Sequence, residues 1–174
     1  MKLTAKEICI FALLGVVMFI SKLIMEFLPN MHLLAMFITA FTVVYRKKAL
    51  YPIYIFVFLL GLYNGFNAWW IPYLYIWTVL WALVMLLPKN MPRKAAVPVY
   101  ILVCALHGLA YGTLYSPVHA ILYSFSLKQL FAWIAVGFPW DVMHAVFNAF
   151  SALLVIPMVE LLKKVNKASY SGRP

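Results

Sequence analysis

The chain has 174 residues, 67% of them hydrophobic, and its formal charge of +10 rests on 14 basic residues against only four acidic ones. Its mean hydropathy is +0.97. A water-soluble domain of this size needs far more polar surface, so the composition excludes one and points to helices that show apolar side chains to lipid. The charge does not point to nucleic acid either, because the basic residues sit in short clusters between apolar runs instead of along one face.

With about 20 residues per crossing as the yardstick, the chain divides into six apolar segments, approximately 7–28, 31–45, 49–64, 69–88, 95–115 and 130–162. They predict an all-α integral membrane protein, a six-transmembrane-helix bundle in one domain over 1–167, followed by a polar tail over 168–174. The first segment follows Lys2 and Lys6 as a signal peptide would. It runs to about residue 28 without a small-residue cleavage pattern, which predicts a retained helix. Lys22 and Glu26 stand four residues apart near its end, close enough to pair on one face. The second and third segments, closed by "YRKK" and "NGFNAWWIP", are short for a crossing. Their ends must lie in protein or at the interface, or the helices must be irregular. Cys9 and Cys104 each fall inside an apolar run and are read as reduced core residues, with no spacing for a metal.

The fourth segment carries Trp70, Tyr73, Trp77 and Trp81 at i, i+3, i+7 and i+11, a stripe within about 80° of a helix surface. Such a stripe serves packing or forms an aromatic wall. In the fifth, Gly108 and Gly112 of "HGLAYG" let a neighbouring helix approach closely, and His107 beside them faces either the bundle or a partner. The sixth holds "GFPWDVMHAVFN", which places Asp141, His144 and Asn148 at i, i+3 and i+7, within about 60° of arc. Pro139 reads as an early helical position, with Asp141 in the first turn. Asp141 then either serves the helix dipole or meets a ligand, and His144 is either a satisfied core histidine or a ligand contact. Asn148 must find partners inside the bundle, since an unpaired buried amide costs on the order of 1–3 kcal/mol. Polar groups at membrane depth are functional candidates.

A cytoplasmic N-terminus puts Lys2, Lys6, the Arg46-Lys47-Lys48 cluster, Lys89, Arg93, Lys94, Lys163, Lys164, Lys167 and Arg173 on the cytoplasmic side. Only Lys22 and Lys128 remain opposite, a bias that predicts an even number of crossings and both termini cytoplasmic. The opposite side gathers Asn30, His32, Asn64, Asn67, Trp69, Trp70, Tyr115, His119, Tyr123 and Trp133, which make either an interfacial aromatic belt or a binding face. The sequence has no HExxH, no GxSxG, no phosphate-binding glycine loop and no paired aspartates, so it is not read as an enzyme and calls for no cofactor and no metal. The alternative class is a membrane enzyme or accessory protein, with His107, His119, His144 and Asp141 in a metal or proton-transfer centre. Nothing in the chain would bind a nucleotide, so energy for transport would come from another chain or an ion gradient.

Six helices in about 170 residues, basic cytoplasmic loops, an outer face rich in aromatics and amides, and a last segment with "PWDxxHxxxN" resemble the substrate-binding S components of energy-coupling factor (ECF) transporters. The motif is similar to a P-F/W-D-L-x-H-x-x-x-N pattern in members of that family. The resemblance implies a multi-pass protein of the bacterial plasma membrane that captures a vitamin or related micronutrient on the extracytoplasmic side. Its partners would be a transmembrane coupling protein and two cytoplasmic ATPases. The first helix would meet the coupling protein through small residues, for which the chain offers Ala12 and Gly15, with Val16 where another small residue would stand. The loop near Leu28 to His32 would close over the solute. The candidate site is Asn30, His32, Asn67, Trp70, Tyr73, Tyr115, His119, Asp141, His144 and Asn148, with rings giving affinity for a heterocycle and polar groups giving identity.

Overall fold

A computed structural model describes residues 3–28 and 31–171, and among them the chain is helical without strands. The order is α1 (Ala5–Ile24), α2 (Leu34–Tyr45), a 3-10 turn (Arg46–Ala49), α3 (Leu50–Asn64), α4 (Tyr73–Leu86), α5 (Arg93–Leu109), α6 (Tyr111–Leu122), α7 (Leu127–Ala152) and α8 (Val155–Ser171). Among the described residues three stretches are long and apolar enough to cross a membrane: Ala5–Ile24, Arg93–Leu122 and Leu127–Ala152. Large apolar side chains face outward along them, among them Leu13 and Ile20 on α1, Leu102 and Leu106 on α5, and Phe131, Val136 and Phe150 on α7. That is the surface expected of a chain in lipid.

The short second segment has a plain cause. Twelve residues of helix reach only about 18 Å, and every residue of α2 from Leu34 to Thr42 is buried. Helices α4, α7 and α8 pack around it, with α1 and α5 touching it too. A helix enclosed on all faces by protein is apolar all round. α1 lies along α3, and α7 lies along α5.

Two boundaries differ from the sequence expectation. The fifth segment does not end near 115; it breaks at Ala110 and resumes as α6 to Leu122. The last does not start at Pro139. A capping box opens α7 at Ser126, whose hydroxyl accepts from the Gln129 N–H at 3.3 Å while the Gln129 side chain accepts from the Ser126 N–H at 2.8 Å. Pro139 therefore sits inside a helix of 26 residues, and Asp141 is about four turns in, not in the first turn. Local capping chemistry at Ser126 outweighs the proline signal. We expect Ser126→Ala to lower stability by about 1 kcal/mol, measured by thermal unfolding in detergent.

α7 ends at Ala152, and after Leu153 and Leu154 the chain continues as α8, which runs on to Ser171 through part of the stretch expected to be a polar tail. Cys9 is exposed, correcting its expected place in the core, whereas Cys104 is buried with its sulfur 3.2 Å from Thr39 Oγ1. Gly15 is taken up internally: a Cβ there would stand 2.5 Å from Ile55 Cγ2, so this small residue serves the α1–α3 contact.

One end of the bundle collects the basic clusters. Lys48 pairs with Glu7, Arg93 Nη1 meets Glu160 at 3.4 Å, and Tyr45 donates to Asn166 Oδ1 at 3.3 Å. Arg46 there takes φ 52°, a left-handed backbone that costs a non-glycine residue about 1–3 kcal/mol. Trp81 Nε1 donates to its carbonyl at 3.1 Å, and its own Nη2 donates to the Met85 carbonyl at 2.7 Å, fastening the turn to α4.

Candidate functional site at the inner face of α7

Asp141, His144 and Asn148 point into the bundle and are 4%, 3% and 2% exposed. Each meets a different part of the α5–α6 pair or the segment before α2. Asp141 Oδ1 accepts the Gly112 N–H at 2.8 Å, one of the first N–H groups of α6, which has no partner inside its own helix. His144 Nε2 stands 3.1 Å from His32 Nε2. Such a contact needs one nitrogen to donate and the other to accept, so the two rings cannot both be fully protonated. Asn148 Nδ2 donates to the Cys104 carbonyl at 3.3 Å.

Two glycines make this closeness possible. A Cβ on Gly108 would lie 2.8 Å from the backbone nitrogen of Ala145 and from Asn148 Nδ2, and one on Gly112 would lie 2.5 Å from Asp141 Oδ2. The two glycines, four residues apart where α5 gives way to α6, thus face the polar stripe on α7.

Around the stripe stands an aromatic cluster centred on Trp77, which is 1% exposed. Its ring centroid lies 5.7 Å from His32, 5.7 Å from Tyr73, 5.9 Å from His107 and 5.8 Å from Tyr111. Tyr111 in turn packs 4.5 Å from His144. His107 Nε2 lies 3.0 Å from the Ile76 carbonyl; an oxygen there requires the nitrogen to donate, which leaves Nδ1 as an acceptor. Among the described residues, four buried polar atoms of this region have no hydrogen-bond partner: His32 Nδ1, Trp77 Nε1, His107 Nδ1 and Asn148 Oδ1. Unpartnered polar atoms so close together are uncommon in a packed interior.

Neither described ion pair involves Asp141; they are Lys48 with Glu7 and Arg93 with Glu160. A buried carboxylate held by one N–H donor and no cation is an expensive group at membrane depth.

A cavity of about 350 Å³ opens at the end of the bundle away from the basic clusters, lined by Lys22, Glu26, Leu60, Asn64, Trp69 and Tyr73. Tyr73 belongs to both the cavity and the Trp77 cluster. Lys22 and Glu26, expected to pair, form neither of the described ion pairs and both face this cavity.

The other expected site residues are placed as follows. Tyr115 stacks 6.0 Å from Tyr111 and donates to the Trp69 carbonyl at 2.7 Å, next to the cavity. Trp70 precedes α4 and donates to the Val57 carbonyl at 2.8 Å, with Phe66 against its face, so it serves packing. Asn67 is exposed in the α3–α4 connection and accepts the Trp70 N–H through its backbone. His119 packs 4.9 Å from Tyr115 and stacks 5.2 Å from Trp133. It does not join His107, His144 and Asp141, and among the described residues no three His, Cys, Asp or Glu side chains converge on a metal position. Asn30 lies outside the described residues.

Trp77, His107 and Tyr111 complete the cluster and were not among the expected site residues. The signal was present: His107, Tyr111, Tyr115 and His119 recur every fourth residue, one face of a helix.

No protein-family model, no curated protein and no solved structure matches the chain. The functional reading stands on the residues themselves.

Proposed function

We propose that this chain is the solute-binding membrane subunit of an ATP-driven micronutrient importer, like the ECF S components its last long helix resembles. In this reading the bundle crosses the membrane six times with both termini in the cytoplasm. The end rich in lysine and arginine is then cytoplasmic, by the positive-inside bias, and the cavity at Tyr73 opens to the extracytoplasmic side. A vitamin-like heterocycle enters there and stacks on Tyr73, Trp77 and Tyr111. Asp141, His144 and Asn148 then supply directional hydrogen bonds, and a coupling protein with two ATPases supplies the energy.

One observation carries the reading: the unpartnered atoms His32 Nδ1, Trp77 Nε1 and His107 Nδ1 lie in an aromatic cluster whose edge residue Tyr73 lines the open cavity, and Asn148 Oδ1, on the adjoining inner face of α7, is unpartnered too. A solute offering donors to the acceptors Asn148 Oδ1 and His107 Nδ1 and an acceptor to Trp77 Nε1 removes their desolvation cost. An amino-substituted ring has that pattern.

The test is ligand co-purification and quenching of intrinsic tryptophan fluorescence with a panel of vitamins and nucleobase-like compounds. One compound is expected to quench saturably, and Asp141→Ala and Asn148→Ala are each expected to weaken it at least tenfold, the loss of about 1.4 kcal/mol. Unchanged binding in both variants removes these residues from the site. Recovery of two ATPases and a membrane protein with the chain from native membranes tests the assembly.

A further inference from the structure

A second feature lies at the opposite end of the bundle and owes nothing to the solute site. The 3-10 turn between α2 and α3 and the end of α4 enclose a cavity of about 450 Å³ lined by Tyr45, Arg46, Lys47, Lys48, Met85 and Lys89. Four of these six residues are cationic and none is acidic. Lys48 is answered by Glu7, but Arg46, Lys47 and Lys89 take part in neither described ion pair. Arg46 Nε is buried without a partner, and the guanidinium is held in place through Nη2 on the Met85 carbonyl. A fixed guanidinium with an unused donor, beside three lysines, is a site for an anion.

Lys47 also borders a second, larger space. A groove of about 700 Å³ runs from it along α3, over Leu50, Tyr51, Tyr54, Ile55, Phe58 and Leu59. These positions follow one helix face at i, i+1, i+4, i+5, i+8 and i+9. From Leu50 to Leu59 the stripe rises about 14 Å, close to the 15 Å depth of one leaflet's hydrocarbon. A basic pocket and a leaflet-long apolar groove meet at one lysine. The charge pattern and the groove together match one occupant.

We propose that this end of the protein is a binding site for an anionic glycerophospholipid, its phosphate held by Arg46, Lys47 and Lys89 and one acyl chain laid along α3. Such a lipid would seal the α2–α3 turn to α4 and hold the strained Arg46 backbone in place. Basic pockets at the cytoplasmic boundary of helix bundles suit anionic headgroups in this way. A zwitterionic headgroup brings its own cation to the pocket and gains little.

The full chain, purified in detergent, is titrated with dioleoyl phosphatidylglycerol and with dioleoyl phosphatidylcholine, and retained lipid is counted by intact-complex mass spectrometry. Phosphatidylglycerol is expected to remain bound where phosphatidylcholine does not. In Lys47→Gln/Lys89→Gln its affinity is expected to fall about 30-fold, roughly fivefold for each cation near an anionic headgroup. In Leu59→Trp, which fills the groove and leaves every cation, the long-chain lipid is expected to weaken while dihexanoyl phosphatidylglycerol does not. Both variants line surface spaces, and their unfolding temperatures without lipid are expected to match the parent. Equal retention of the two lipids, or unchanged affinity in the double variant, overturns the proposal. So does displacement of the long-chain lipid by millimolar inorganic phosphate, which would make the pocket a phosphate site with no role for the groove.

Discussion

Gly108→Leu is expected to be among the most damaging single substitutions in the chain, whereas Gly137→Leu, also in a helix of the bundle, is expected to cost nothing. The contrast follows from what a side chain would meet. At Gly108 even a Cβ would lie 2.8 Å from the Ala145 backbone nitrogen, and backbone cannot swing away as a flexible side chain can. At Gly137 a Cβ meets nothing within 4 Å. A leucine at 108 therefore forces α5 and α7 apart along the line where Asn148 meets the Cys104 carbonyl. Overpacking of this kind costs about 1–3 kcal/mol, and the broken Asn148 bond with its stranded amide adds about 1–3 kcal/mol more. At 137 leucine only replaces a poor helix former, a change worth up to about 1 kcal/mol in its favour. Thermal unfolding in detergent measures both. The buried Cys104 thiol offers a second readout in a Cys9→Ser background, since Cys9 is exposed and would mask it. Maleimide is expected to label Cys104 rapidly in Gly108→Leu and slowly in the parent. Equal stability of the two glycine variants would mean that α5 and α7 do not touch at this line.

The residues that could be read ahead of the structure are those whose physics is local or strictly periodic. The inward face shared by Asp141, His144 and Asn148 follows from helical spacing alone, and so does the small-residue approach at Gly108 and Gly112. The helical class follows from composition. What escaped was tertiary. Nothing in "LLAMFITAFTVV" says whether its apolar residues meet lipid or protein, and α2 turned out to be wrapped by other helices. Pro139 reads as a helix boundary, yet the S-x-x-Q box at Ser126 is the stronger start. His32 has no periodic partner, because its meeting with His144 spans 112 positions of chain. Trp77 was visible as part of a stripe, yet its place at the centre of three imidazoles or phenols from other segments depended on how α4 faces α5 and α6. Trp70, from the same stripe and among the expected site residues, is instead tied to the Val57 carbonyl.

Asp141→Asn separates the two roles that spacing left open for this acid. If the carboxylate serves only as an acceptor for the Gly112 N–H, the amide oxygen of asparagine takes over that bond at the same reach, and nothing else changes. Stability is then kept within about 1 kcal/mol, or raised, because a buried charge with no cation beside it has been removed. Asp141→Leu provides the comparison: it strands the Gly112 N–H and is expected to cost about 1–3 kcal/mol. Solute affinity responds to a different property. In the proposed site the carboxylate would bind an amino group of a heterocycle through a charge-assisted bond worth about 1.5–3 kcal/mol. At 1.4 kcal/mol per factor of ten, its loss weakens the cognate solute about 10- to 150-fold. The expected outcome for Asp141→Asn is therefore a protein that unfolds at or above the parent temperature and has lost most of its affinity in the tryptophan-quenching titration. A variant that keeps both properties would leave Asp141 as the acceptor that fastens α6 to α7. The recognition of the solute would then pass to His107, Asn148 and Trp77, the residues whose buried polar atoms still lack partners.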